Sequence, residues 1–418
     1  MTGINRREFI KRAGSVALAA PAVALAARTV NAATPIQALL YQYPAAEYFA
    51  QVMKEVPGVD VNVQLMPASK AMELLNINLA SGSDMFDLVL TNDMHVLRYA
   101  RNGWLRPLDD LWEKYKDEYN LADIDDSFLA GSKVDGTLYQ LPNEFNSHIT
   151  MFRKDLYQEK GLKVEATVEE FRHNAEKLKT DAIAGTVLMC QMGDQCATHA
   201  TYYLNNIGDG WFHNDWRLAV NSDRGISAID FLRDMGGLAQ RGYTTAGGAE
   251  GSLALHQGFA AMGHMWLSRA STMEDPKKSR VVGKIGYVAP AQGGQRLSVS
   301  GYAISKFSKQ DPDTLFRVML ETLKEKSLRG NIANNVPTRV SVLGDQELLK
   351  KYPYLVAATD AARSGKYFPS MPYYGPLSEI VTRRILQVLS GEVQTREAMD
   401  LAAAEGNKYL LDNGFLKA

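Results

Sequence analysis

A chain of 418 residues, 46% hydrophobic and 22% charged, is too long for one ordinary core. Two domains of roughly 150–200 residues each are expected instead. With a formal net charge of −1, nothing in the overall balance points to nucleic acid or an anionic membrane.

The first residues stand apart from the fold. Asn5-Arg6-Arg7-Glu8-Phe9-Ile10-Lys11 is a twin-arginine pattern, followed by a mildly apolar run from Ala13 to Ala27. That run is too short and too rich in alanine to span a bilayer. Val30-Asn31-Ala32 supplies small residues at the −3 and −1 positions, so cleavage after Ala32 is expected, in a signal peptide covering 1–32. Cleavage removes five positive charges and one negative, which takes the chain from −1 to about −5. No later segment is apolar enough to cross a membrane, and a periplasmic protein follows. Cys190 and Cys196 would be free to bridge in that oxidising compartment. Alternatively, with Met189, Met192 and His199 beside them, they offer soft ligands suited to copper.

Taken in order, Ile36 to Tyr41 reads as a strand and Ala45 to Glu55 as a helix closed by Pro57-Gly58. Val59, Val61, Val63 and Leu65 alternate as a second strand, and Ser69 would cap the helix carrying Met72, Leu75 and Leu79. Phe86 to Leu90 is a third strand, ending at Thr91-Asn92-Asp93. This alternation implies a parallel sheet, with ligands held beyond the carboxyl ends of its strands. Tyr41-Gln42-Tyr43 and Asn92-Asp93 fall there. Tyr139 to Pro142 and Ile149 to Phe152 read as short strands joined by a polar loop, Asn143-Glu144-Phe145-Asn146, a candidate crossing between lobes. Thr167-Val168-Glu169-Glu170 is a capping box for a helix to Leu178, and Asp223 to Gln240 has helical spacing. Ile285 to Ala289 and Val299 to Ile304 read as strands, and Pro376 to Leu389 and Arg396 to Leu411 as amphipathic helices.

The stretch Gly258 to Trp266 holds the sharpest chemistry. It reads as a helix end through Phe259-Ala260-Ala261-Met262 that turns at a glycine into a buried strand. The strand delivers Trp266 and then Arg269 to its carboxyl end. An indole face stacks on the C–H face of a sugar, and a guanidinium fork bonds hydroxyls or anions. The competing reading makes Trp266 a core residue.

Five segments then recur in one order. They are Phe86-Asp87-Leu88-Val89 with Ala100-Arg101-Asn102-Gly103-Trp104-Leu105-Arg106-Pro107-Leu108-Asp109-Asp110-Leu111; Asp135-Gly136-Thr137-Leu138-Tyr139-Gln140-Leu141-Pro142 with Phe152-Arg153-Lys154-Asp155-Leu156; Gln257-Gly258-Phe259-Ala260-Ala261-Met262-Gly263; Ser300-Gly301-Tyr302-Ala303-Ile304-Ser305-Lys306; and Leu389-Ser390-Gly391-Glu392 with Glu397-Ala398-Met399. Together they resemble family 1 of the extracellular solute-binding proteins of ABC importers, the maltose-binding-protein type. Thr167-Val168-Glu169-Glu170-Phe171 departs from that pattern in lacking proline and tryptophan, and Phe152-Arg153 stands in place of tyrosine-asparagine.

The resemblance implies an α/β, two-lobed periplasmic binding protein fold, closing by a hinge on a ligand in the cleft. Crossings are expected near Pro142–Phe145, Val299–Gly301 and the loop around Pro337. The N-lobe would be 33–143 plus 300–336, and the C-lobe 144–299 plus 337–418. The implied partners are a small-molecule sugar, sugar derivative or polyol and the permease subunits of an ABC transporter, with a monomeric protein, no cofactor and no catalysis.

Asp93 can accept two hydroxyl protons, though a solvated loop or helix-cap role is equally open. Glu144 and Asn146 would reach the cleft from its floor. Trp266 would be the stacking platform, and Arg269 and Arg339 would bond hydroxyls or an acidic group. Tyr41, Gln42, Tyr43, Asn92, His199, Ser300 and Gly301 complete the candidate set. Tyr373 joins it too, unless it packs with Tyr374 under Pro372 and Pro376. Two other classes stay open. Tyr202-Tyr203 resembles the phenolate pair of ferric-ion-binding periplasmic proteins. A periplasmic carbohydrate-active enzyme would pair Glu144 with a second carboxylate such as Asp93, but the chain has no nucleophile elbow, zinc motif or dinucleotide fingerprint.

Overall fold

Strand β1 (Ile36–Tyr41) lies at the centre of the first half of the sheet, with Leu39 and Leu40 fully buried. It pairs in parallel with β2 (Val61–Met66) and with β3 (Leu88–Asn92), as the strand–helix alternation requires. Helix α1 (Pro44–Lys54) connects β1 to β2. Pro44 occupies its first turn, and Ala45, Ala46, Phe49, Ala50 and Met53 form the buried stripe. Helix α2 (Ala68–Ala80) connects β2 to β3, and it starts one residue before Ser69. Ser69 therefore sits inside the first turn and not at the cap. The structure is a computed structural model that describes residues 34–417, apart from Ser370, Pro372 and the side chain of Ser69. The twin-arginine segment and its cleavage site lie outside the described residues, as does Pro372.

The expected polar loop at Asn143–Asn146 is absent. Leu141–Arg153 is one continuous strand of 13 residues, β4. A register shift between Pro142 and Glu144 replaces the loop. Pro142 has no N–H to give the ladder, so a bulge is where it fits. The polar backbone is satisfied from the segment Asn335–Thr338. Phe145 N donates to Val336 O (2.9 Å), Asn335 Nδ2 to Asn143 O (3.1 Å) and Thr338 Oγ1 to Pro142 O (2.9 Å).

The C-terminal half of β4 pairs antiparallel with β5 (Met262–Trp266) on one edge and β6 (Ile285–Val288) on the other. Its N-terminal half pairs with β7 (Leu297–Ile304), which also pairs with β3. The order β2-β1-β3-β7-β4-β5, with β6 on the second edge of β4, makes one curled sheet running through a mixed α/β fold of two lobes.

Two further expectations change. The helix before β5 is Gly248–His256 and stops short of Phe259, which is exposed. The turn is made at Gly258, where φ is +80° and a side chain would be strained. The helix from Asp223 ends at Gly236, because Gly236-Gly237 breaks it. Asp93 begins a helix, α3 (Asp93–Arg101), that hydrophobic spacing did not announce.

Gly301 owes its place to strand packing. It pairs with Thr91 on β3 and Pro142 on β4, and a Cβ there would sit 2.4 Å from the Leu141 carbonyl oxygen. Gly301→Ala is expected to destabilise the protein by about 1–3 kcal/mol, seen as a lower urea midpoint with an unchanged slope.

Candidate functional site

A cleft of about 660 Å³ opens where the carboxyl ends of β1, β3 and β5 meet the floor made by β4 and β7. Tyr41 and Tyr43 leave the end of β1 and stack on each other, with ring centroids 5.3 Å apart. The Tyr41 hydroxyl lies 3.3 Å from Ser300 Oγ, and the Tyr43 hydroxyl donates to Glu144 Oε2. Asn92 caps α3: its Oδ1 accepts from Met94 N (3.1 Å) and His95 N (3.3 Å). The same oxygen sits 2.8 Å from His95 Nδ1. Burial holds His95 down to about 4, so the ring is neutral with the proton on Nδ1. Its Nε2 is left as an acceptor.

Glu144 and Asn146 project from the same face of β4, two residues apart. Burial pushes the Glu144 carboxyl up to about 7, against the lowering effect of the Tyr43 hydroxyl. Asn146 Nδ2 donates to Ser268 Oγ (3.1 Å), and its Oδ1 accepts from Ser268 N (3.2 Å), which ties the floor to the segment after β5. Trp266 ends β5 opposite His148 of β4, whose imidazole meets the indole edge to face at 4.6 Å. The indole N–H donates to Gln195 Oε1 at 3.4 Å. Trp266 and Arg269 therefore reach one wall, with Tyr41, Tyr43, Asn92, Glu144, Asn146 and Ser300 across the floor and opposite side.

Six expected residues lie elsewhere, each for a physical reason. The Asp93 side chain is only 4% exposed and has its acceptors occupied. Ser298 Oγ (2.9 Å) and Val299 N (3.2 Å) donate to Oδ1, and Arg296 Nη2 (3.3 Å) to Oδ2. Burial pushes its carboxyl up while Arg296 pulls it back. His199 is buried behind Trp266, held neutral at about 4 by desolvation, and accepts from Met189 N at 3.2 Å. Gln42 is exposed and donates to Glu47 (2.8 Å) at the start of α1. Gly301 is interior backbone of β7. Arg339 lies at a separate hollow of about 440 Å³, where it donates to the carbonyls of Leu323 (2.6 Å), Asn120 (2.8 Å) and Tyr119 (2.7 Å). Tyr373 donates to the Asn413 carbonyl (3.2 Å) and meets Tyr409 edge on, away from the cleft.

Sequence reasoning missed Met94, His95, Asp194, Ser268, Lys278, Arg296, Ser298 and Asn334, all of which line the cleft. Arg296 and Ser298 had a readable signal. Arg296, just before β7, and Ser298 within it alternate with Ser300, the period of a strand. Asp194 opens the helix Asp194–Asn206, outside its buried stripe, and Asn334 lies in a turn, so neither belongs to a hydrophobic period that could be read.

The other classes lose their footing here. Tyr202 and Tyr203 are both buried, at 1% and 0% exposure, and neither lines the cleft. The Tyr202 hydroxyl donates to the Ala291 carbonyl at 3.0 Å. Cys190 and Cys196 are free, buried thiols, while Met192 is exposed. Among the described residues no cluster of three or more His, Cys, Asp or Glu could hold a metal ion.

Residues 33–317 match the model of the bacterial extracellular solute-binding proteins, and the chain belongs to that family. A mannitol-binding protein of Pseudomonas aeruginosa is 26% identical over 182 residues, covering 42% of this chain and 40% of that one. An ABC transporter solute-binding protein from Agrobacterium radiobacter K84, solved with ribitol, superposes with a TM-score of 0.80 at 24% identity, covering 90% of this chain and 99% of that one. Another from Agrobacterium vitis S4, solved with D-mannitol, gives 0.78 at 21% identity over 92% and 100%. The family and these neighbours are binding proteins and not enzymes, so the hydrolase or lyase reading falls.

Glu144 makes the site sensitive to pH in a direction that can be worked out. Its folded value, about 7, lies above the ordinary 4.5. The folded chain then binds more protons than the unfolded chain between those limits, and stability is lost as pH rises through that window. Urea midpoints measured from pH 4.5 to 8 should fall less steeply in Glu144→Gln than in the wild type.

Proposed function

We propose that this protein is the capturing subunit of an ABC importer for a sugar, sugar derivative or polyol. The observation that carries the reading is one cleft holding Trp266 beside the hydroxyl-bonding groups of Tyr41, Tyr43, Glu144, Asn146 and Arg269. An apolar face plus convergent donors and acceptors is what a polyhydroxyl ligand requires. The ribitol and mannitol named for its relatives support polyols among the candidates.

The lobes are assigned as 33–143 plus 300–336 and 144–299 plus 337–418. Contacts from both lobes to one ligand drive closure, and the closed form is what permease subunits recognise. The protein acts as a monomer in the periplasm. Affinity near micromolar corresponds to about −8 kcal/mol, within reach of one stacked face and several hydrogen bonds.

Titration calorimetry against ribitol, D-mannitol and common monosaccharides tests the reading, with tryptophan fluorescence as a second signal. Trp266→Ala is expected to weaken the ligand that binds by tenfold or more, about 1.4 kcal/mol. A folded variant of unchanged affinity removes Trp266 from the site, and a wild type that binds none of these compounds removes the function.

Export by the twin-arginine route is part of the same proposal. The mass of the periplasmic protein should correspond to a chain beginning at Ala33. The double substitution Arg6→Lys, Arg7→Lys should leave precursor in the cytoplasm, and undiminished export would exclude this route.

A further inference from the structure

Arg296 lines the cleft, yet its side chain is only 3% exposed. The guanidinium lies over Phe368, with Cζ 3.9 Å from the ring centroid, and 5.7 Å from the Trp266 indole. Among the described residues its side chain makes one hydrogen bond, from Nη2 to Asp93 at 3.3 Å, and Nε is buried with no partner. A guanidinium carries five N–H donors, so this one, over Phe368 and near Trp266, leaves most of them without a partner among the described residues. Leaving buried donors idle is costly, and a bound molecule that supplies acceptors would relieve the cost.

The charge is a different matter, because it is already answered. Asp93 pairs with Arg296 in a buried site, where opposite charges attract far more than in water. Asp194 lines the same cleft, and its charge adds to the forces raising the Asp93 carboxyl, after burial. Lys278 has its own carboxylate, Asp275, at 3.7 Å. Arg269 is exposed to water, which screens it. An anionic ligand at Arg296 would meet a neutralised guanidinium and two carboxylates. Neutral hydroxyl oxygens would meet free donors and no repulsion.

Taking the cleft as the polyhydroxyl site proposed above, we infer that Arg296, with its charge cancelled by Asp93, selects neutral polyols and sugars against the corresponding sugar acids. Its free edge donates to adjacent ligand hydroxyls, and Asp93 acts through Arg296 as a positioning and charge-cancelling residue. Specificity of this kind rests on a repulsive element as well as an attractive one.

The test is calorimetry of the mature protein with matched probes: ribitol against D-ribonate and D-mannitol against D-mannonate. The wild type should bind the alditol at least tenfold more tightly than its acid. Asp93→Asn should narrow that preference at least tenfold, because the guanidinium then takes the carboxylate as its partner. Asp194→Asn, at an exposed position where folding is not at risk, should narrow it by about threefold at low salt. Arg296→Gln should weaken the alditol at least tenfold. A wild type that prefers the acid overturns the inference. So does an alditol-to-acid ratio left unmoved in Asp194→Asn and in any folded Asp93→Asn. In both cases alditol binding by the wild type leaves the parent reading standing. A wild type that binds neither alditol overturns both together.

Discussion

The parity of strand β4 decides what this molecule can hold. Side chains alternate along a strand, so one slip in register exchanges the two faces over its whole length. The bulge between Pro142 and Glu144 sets the phase. After it, Glu144 and Asn146 face the cleft, while Phe145 packs against Phe128 with centroids 4.9 Å apart. Two residues further, His148 continues the same series and meets Trp266. The floor, the carboxyl group upon it and the support for the aromatic wall all follow from one irregularity. Three passes of chain meet there, β4, β7 and the Asn335–Thr338 segment, tied together by their mutual hydrogen bonds.

How much of this was legible in the chain divides along physical lines. β1, β2, α1 and the parallel pairing were readable, because burial on one face writes a period into the sequence. The polar run Asn143–Asn146 was misread as a loop. Glu144 and Asn146 face the cleft from within a strand while Asn143 is buried, and the backbone partners come from residues nearly two hundred positions away. Asp93 and Arg339 look alike in sequence, as polar residues beside strand ends or loops. Each is occupied by partners remote in the chain, Arg296 and the carbonyls of Tyr119, Asn120 and Leu323. The place of Trp266, which is 8% exposed, part core and part cleft lining, at the end of a buried strand was readable from the glycine turn and small-residue run before it. Its neighbours Asp194 and Asn334 were not, because nothing local announces a side chain whose role is set by tertiary proximity.

The cleft also shows how buried ionisable groups are tolerated. Glu144 shares its proton economy with Tyr43, Asp93 is matched with Arg296, and His95 is kept neutral by desolvation. None of the three is left as an isolated buried charge, the arrangement that folding penalises most. What remains facing the solvent is a set of hydroxyl, amide and imidazole groups, with Arg269, Asp194 and Lys278 as the exposed charges.

The imidazoles behind Trp266 carry a consequence for the molecule's chemical endurance. His148, His199 and His264 are all buried and all held below the ordinary 6.5, chiefly by desolvation, to about 4 for His199 and about 3 for His264. Among the described residues Nε2 of both His148 and His264 has no partner. The unfolded chain takes up protons at these rings before the folded chain can, so their stabilising contribution is complete above pH 6.5 and drains away as pH falls toward 4 and 3. That slope opposes the one from Glu144 and involves more groups. Acid therefore weakens the packing around these rings, and His95 in the cleft, also held down to about 4, takes up its proton in the same window.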